Sequence, residues 1–187
     1  MDAIGLVRQD HRKLEALLER CEQTGHDSAE ERAVLVDQLH AAVRHHVEEE
    51  ESILFPAFRP HDDGLLARAT DQHRLLARLA DELAATPPAG DGFRPRLRVL
   101  ADQVHKHLDA EDGPILTALE DLLDDDALLD LGRRLENRRR VVAAQEDLRA
   151  TTTGFLTRRL PWIAAALAVP AALAAVAVVR RRRRARP

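Results

Sequence analysis

No tyrosine occurs in this chain, and aromatic residues of every kind make up only 3 % of it. Leucine and alanine dominate the apolar set instead, which favours helices over strands, where aromatic and β-branched side chains are enriched. A single cysteine, Cys21, excludes an intramolecular disulfide framework and any multi-cysteine zinc or iron–sulfur site. The N-terminus has no signal-like apolar segment, so the expectation is a domain that starts life in a reducing cytosol. Positive charge is scarce over most of the length: residues 1–150 hold all 32 acidic residues and 20 of the 28 basic ones, a net −12, whereas the last 37 residues carry +8. The main part should repel nucleic acid, which is not expected as a partner, and only the tail could attract polyanions or anionic lipid. At 187 residues, 45 % apolar and 32 % charged, the chain suffices for one compact helical domain with some length to spare and no second enzymatic domain.

Apolar residues recur at helical spacing in four segments. The first runs from about Ala3 to Cys21, with Ile4, Val7, His11, Leu14 and Leu18 spaced three and four apart. After the break at Thr24-Gly25-His26-Asp27, Ser28 and Glu31 form a capping-box pattern that opens a second helix ending before Pro56, striped by Leu35, Leu39, Ala42, His46, Glu50 and Ile53. A third follows the Pro60–Gly64 turn and carries Leu66, Ala69, His73, Leu76, Ala80 and Leu83. Beyond the Thr86–Gly92 loop, Pro95 suits the first turn of a fourth, striped by Leu97, Leu100, Val104, His107 and Glu111, which Gly113-Pro114 should kink or end. A fifth, about Asp126 to Arg149, carries Leu128, Leu131, Leu135 and Val142.

The polar members of these stripes repeat. His11, then His46 with Glu50, is followed 61 or 62 residues later by His73, then His107 with Glu111. The flanks repeat too: Asp10-His11-Arg12 parallels Gln72-His73-Arg74, and Glu50-Glu51 parallels Glu111-Asp112. A lone histidine on an apolar stripe is usually a hydrogen-bonded core residue. Four, each near the middle of a different helix, come to similar depth in an antiparallel bundle, and burying so much imidazole without a shared partner is costly. Residues four apart share a helix face, so Glu50 and Glu111 must point inward beside His46 and His107. A pair of divalent cations would neutralise both carboxylates and accept neutral imidazole lone pairs. Six nitrogen and oxygen donors without thiolate favour two iron ions sharing bridging carboxylates, with manganese or zinc less favoured. Within the Glu48–Glu51 run only Glu50 lies on the stripe; the others read as a solvated face. His45 and His105 should face away from the site, and His26, His40 and His61 should be exposed.

These segments together resemble the hemerythrin-like (HHE cation-binding) family over about residues 3–145. The resemblance rests on Asp10–Leu14, His46–Pro56, Gln72–Arg74 and His107–Asp112, in the order His, His-x-x-x-Glu, His, His-x-x-x-Glu. It implies an all-α, up-down four-helix bundle around a non-haem di-iron centre ligated by His11, His46, Glu50, His73, His107 and Glu111. Oxygen-carrying hemerythrins have a further histidine where Ala77 stands here, and their last carboxylate is an aspartate at the position of Asp112. Reversible oxygen carriage is therefore not implied. The expected role is binding or sensing of O2, NO, peroxide or iron, a binding protein rather than an enzyme. A di-iron peroxidase- or oxidase-type enzyme and a metal-free helical interaction bundle are the alternatives.

The expected organisation is a bundle with appended fifth helix over 1–148, a linker over 149–159, a transmembrane helix over 160–179 and a basic tail over 180–187. Leu160–Val179 is twenty residues without charge, long enough to span a bilayer. Its alanines and central Pro170 make a peripheral helix the competing reading. The arginines after it place the C-terminus in the cytoplasm by the positive-inside rule, in conflict with a bundle that has no export signal. The expectation is a single-pass C-terminal anchor with a cytoplasmic bundle, the basic end meeting anionic lipid headgroups.

Overall fold

Every stripe position named above in the first four segments is buried, and the helices that carry them pack into a bundle. The structure is a computed structural model and describes residues 1–25, 28–58 and 63–145. Among the described residues it is all-helical, without strands. The elements are α1 (Ala3–Gln23), α2 (Ala29–Glu49), a π turn (Glu50–Leu54), α3 (Phe55–Phe58), α4 (Asp63–Ala84), α5 (Phe93–Ala110), a second π turn (Glu111–Ile115) and α6 (Leu116–Leu122). Helix α7 follows over 125–138. Contacts divide the chain into two units, Met1–Arg138 and Arg139–Pro187; in the second, residues 139–145 are helical.

Helices α1, α2, α4 and α5 form a ring in which each packs against its neighbours in that order and α5 closes on α1. Two apolar clusters show that neighbours run antiparallel. One joins Leu14, Leu18 and Cys21, late in α1, to Leu35 and Leu39, early in α2, and likewise Leu76, Ala80 and Leu83 of α4 to Phe93, Leu97 and Leu100 of α5. The other joins Ile4 and Val7, at the start of α1, to Ile53, Phe55 and Phe58 after α2, with Leu66, Ala69, Ile115, Leu116 and α7 residues Leu128, Leu131 and Leu135. His11, His46, His73 and His107 fall between the two clusters in all four helices. The polar layer is thus sealed by hydrocarbon above and below.

Local signals account for most helix ends. Asp2 caps α1, its carboxylate accepting the Gly5 N–H at 2.7 Å. Ser28 occupies the N-cap of α2, but its side chain makes no capping bond, so the expected capping box does not form. The α1–α2 end is held from outside instead. Arg94 donates to the carbonyls of Cys21, Glu22 and Thr24, satisfying acceptors that the last turn of α1 leaves open. Arg32, buried, donates to Gly25 and Pro88 carbonyls and lies 5.3 Å over the Phe93 ring. Pro56 does not end its helix, contrary to the sequence expectation, and Gly113-Pro114, expected to kink or end the fourth helix, lie inside the second π turn. Pro56 sits within α3, just after the first π turn, and the chain resumes as α6 after the second.

Gly132 fixes how α7 meets the chain start. A Cβ there would run into the Met1 carbonyl oxygen and lie 2.9 Å from the Asp2 carbonyl carbon, both backbone atoms. Gly132→Ala should therefore displace α7 from the start of α1, at a cost of about 1–3 kcal/mol. Thermal melts of the variant check this; an unchanged midpoint would show that the two segments do not approach so closely in solution.

The expected membrane location needs correction. Among the described residues no helix is long and apolar enough to cross a membrane. The physical reason is plain in α1, where Arg12, Lys13, Glu15 and Glu19 are exposed on the side away from the core, a face that hydrocarbon would not accept. The span placed at 160–179, the linker at 149–159 and the tail at 180–187 lie outside the described residues.

Candidate metal centre

One carboxylate faces all four imidazoles. Glu111 Oε2 lies 3.2 Å from His11 Nε2, 3.4 Å from His107 Nε2 and 3.7 Å from His46 Nε2, while its Oε1 lies 3.8 Å from His73 Nε2. Glu50 faces two of them, with Oε1 3.4 Å from His46 Nδ1 and Oε2 3.2 Å from His73 Nε2. His46 and His107 meet Nε2 to Nε2 at 2.9 Å. All six side chains are at most 3 % exposed. Five of the six, His46, Glu50, His73, His107 and Glu111, each place a donor atom within 4.8 Å of the others. His11 stands just outside that group and joins it through Glu111.

Hydrogen bonds join part of the cluster, His11 Nε2 with Glu111 Oε2 and His46 Nε2 with His107 Nε2, but not all of it. Both oxygens of Glu50, Nε2 of His73 and Nδ1 of His107 are buried without a hydrogen-bond partner, although ion-pair distances separate several of them. The Glu50 oxygens and His73 Nε2 face one another with no hydrogen bond between them, an arrangement that a cation would fill. First-row ions hold nitrogen and oxygen at about 2.0–2.2 Å, so donors on opposite sides of one ion lie about 4 Å apart. The cluster is nearly that compact already, and its donors fit a divalent metal without thiolate ligands.

Without an ion, burial and mutual charge push the six groups apart in basicity. Burial, together with the positive charge of neighbouring imidazoles, holds His46 well below the usual histidine range and takes His107 down to about 4. Burial also works against protonation of His73 and His11. The carboxylates beside them more than reverse it, Glu111 and Glu50 raising His73 to about 10 and Glu111 with Asp112 raising His11. Burial and the adjoining Glu111 charge push Glu50 well up, whereas Glu111, despite burial, is held well down by His11 and His73. Without metal, His11, His73 and Glu50 are thus pushed towards their protonated forms and Glu111 towards its ionised form.

Two flanking acids were missed by the stripe argument. Glu51 Oε1 lies 3.0 Å from His73 Nδ1, and Asp112 Oδ1 lies 3.0 Å from His11 Nδ1. Glu49 is also buried. The duplicated flank Glu50-Glu51 and Glu111-Asp112 was the available signal for the first two. In a regular α-helix the second acid of each pair falls off the stripe, because consecutive residues lie about 100° apart around the axis. The π turns change that local geometry. Each begins at the inward glutamate, with Phe55 N–H bonded to the Glu50 carbonyl and Leu116 N–H to that of Glu111, and π turns of this kind recur at functional sites. Phe55 stacks on His73 with ring centres 5.1 Å apart. Of the remaining histidines, His105 is exposed, His45 is half-buried, and His40 pairs with Asp81 at 2.7 Å between α2 and α4; His26 and His61 lie outside the described residues.

Residues 2–119 match the model of the hemerythrin HHE cation-binding domain. The chain belongs to that family. Among solved structures it is similar to a hemerythrin HHE cation-binding domain-containing protein from Mycobacterium kansasii, with a TM-score of 0.71 and 23 % identity, covering 80 % of this chain and 93 % of that one. That likeness establishes the hemerythrin-like fold. A curated protein from Nostoc sp. named DNA nickase is 26 % identical over 124 residues, 66 % of this chain. The match spans 35 % of that relative's length. As an HHE domain the chain is a metal-binding helical protein with a buried His/Glu cluster.

Proposed function

We propose that this HHE domain holds two non-haem iron ions through His11, His46, Glu50, His73, His107 and Glu111, and uses them to bind or sense a small redox ligand such as O2, NO or peroxide, or to sense iron itself. The observation that carries this reading is the set of buried, partnerless donor atoms on Glu50 and His73 beside a carboxylate shared by four imidazoles. An iron pair, when bound, supplies a redox-active, Lewis-acidic centre, and six protein donors are too few to saturate two such ions. The chain's own contribution is to hold the donors in a water-poor layer between two apolar clusters. A metal-free interaction bundle fits less well, because it leaves those buried polar atoms without compensation. The DNA-directed activity named for the Nostoc relative is not carried over: nearly two thirds of that protein lies outside the match, and the net −12 of residues 1–150 opposes phosphate.

The deciding experiment is metal content per full-length chain, purified without chelator, with an absorption spectrum in air. The expected result is close to two irons per chain with oxo-bridge bands in the near ultraviolet. Loading to about 1,000 times the dissociation constant should add about 4 kcal/mol of stability and raise the melting midpoint by on the order of 10 °C. A chain that stays metal-free after anaerobic ferrous reconstitution sinks the proposal. Peroxide turnover well above that of free iron would move the reading from sensor to enzyme.

A further inference from the structure

Two of the four imidazoles are gripped at both nitrogens by consecutive carboxylates from the other hairpin. His73, on α4, has Glu50 3.2 Å from Nε2 and Glu51 3.0 Å from Nδ1. His11, on α1, has Glu111 3.2 Å from Nε2 and Asp112 3.0 Å from Nδ1. In both cases the acid pair opens a π turn. His46 and His107 have no such outer acid: the Nδ1 of His46 faces Glu50, and that of His107 has no hydrogen-bond partner. The inner acids are 2–3 % exposed and the outer ones 40 % and 48 %. The same device therefore occurs once per hairpin, with a dry end and a wet end.

We propose that Glu51 and Asp112 are positioning residues that fix His73 and His11 as Nε2 ligands, an inference that rests on the metal-binding reading above. A neutral imidazole carries one N–H, and a carboxylate can only accept. With an acceptor at Nδ1 the proton stays there, so the Nε2 lone pair points to the layer where Glu50 and Glu111 converge. Without it the two tautomers compete, and a proton on Nε2 blocks ligation. The outer carboxylate also makes the ring a stronger donor and stops its rotation, a contribution known elsewhere to change metal affinity 10–100-fold. The π turns make this economical in sequence, since one widened turn delivers both the inner ligand and the acid that orients the facing ring.

The test uses the full chain loaded with Zn(II), which is diamagnetic, and with Fe(II). Nitrogen-15 correlation spectra of the Zn(II) form read which imidazole nitrogen is coordinated, and chelator competition reads both affinities. The expected result is Nε2 coordination with a slowly exchanging Nδ1–H at His11 and His73. Glu51→Ala and Asp112→Ala should each weaken binding by 10–100-fold and speed exchange of the matching Nδ1–H. Glu51→Gln and Asp112→Asn, whose amide oxygens still accept, should recover most of the exchange protection and part of the affinity. Should the alanine variants not fold, the amide pair decides by the same readouts, and unaltered affinity in that pair counts against the proposal. Glu48→Gln, at an exposed acid of the same run, should change neither. Equal affinity and unchanged exchange in the variants, against a wild type that binds, overturns the positioning role alone; a wild type that takes up neither ion overturns the metal reading and this inference with it.

Discussion

Glu111→Gln should cost the chain far more metal than Glu50→Gln, although the two residues occupy equivalent places in the sequence repeat. Glu111 stands within 3.8 Å of all four imidazoles, whereas Glu50 reaches two. Loss of the shared carboxylate removes charge compensation from the whole donor set, and a drop of at least about 100-fold in iron affinity is expected, the upper end of what a supporting group alone is worth. The metal-free proteins should diverge too. Glu111 is pushed towards its ionised form by His11 and His73, which are themselves pushed towards protonation, so its removal leaves buried positive charge uncompensated, at about 3–5 kcal/mol. Glu50 is pushed towards its protonated form, and an amide replaces a neutral acid at little cost. Urea midpoints of the two metal-free variants, with iron content of the loaded ones, check this. The reverse order would mean that Glu111 is not the shared group.

Acid should unfold the metal-free bundle through its unprotonated histidines. The His107 imidazole is brought down to about 4 by burial and neighbouring positive charge, while the unfolded chain takes up the same proton near 6.5. Between those values the unfolded state binds more protons, so stability falls as pH falls, by about 3 kcal/mol from His107 alone at pH 4. His46 shifts in the same direction. His73 does the opposite: raised to about 10, it stabilises fully below pH 6.5, and that contribution drains away as pH rises towards 10. Urea midpoints from pH 4 to 10, compared between wild type and His107→Leu, isolate the acid limb. The variant should show a shallower slope between 4 and 6.5 and the same alkaline limb; parallel curves would show that His107 is not kept neutral in the fold. Bound metal requires neutral imidazole, so ion release should follow acidification as well.

The fold and the candidate donors were legible because both depend on local periodicity. Leu14, His46 and Leu100 share stripes with their neighbours at three- and four-residue spacing, and every such position is buried. The repeat then placed a histidine at one depth in each helix. Other signals misled for physical reasons. Ser28 and Glu31 had the spacing of a capping box, yet Arg32 and Arg94 secure that end through carbonyls brought in from α1 and the α4–α5 loop. Pro56 looked like a stop, but it lies within α3 directly after a π turn, whereas Pro114, expected to kink or end its helix, falls inside a π turn after which α6 begins. The membrane assignment drew on residues 160–179 by composition alone, and the described helices offer no span.

The sequence by itself determined a helical bundle, its antiparallel pairing through two repeated hairpins, and six inward-facing histidines and glutamates, because helical spacing decides which face of each helix is apolar before any helix meets another. Only the tertiary structure decided that Glu111 is shared by four rings while Glu50 reaches two, that Glu51 and Asp112 return to a buried imidazole, and that Arg94 secures the end of α1. The contacts between helices among these span from 22 to 101 residues of chain. They depend on axial offset and on the widened π turns, quantities that a periodic pattern within one helix does not contain.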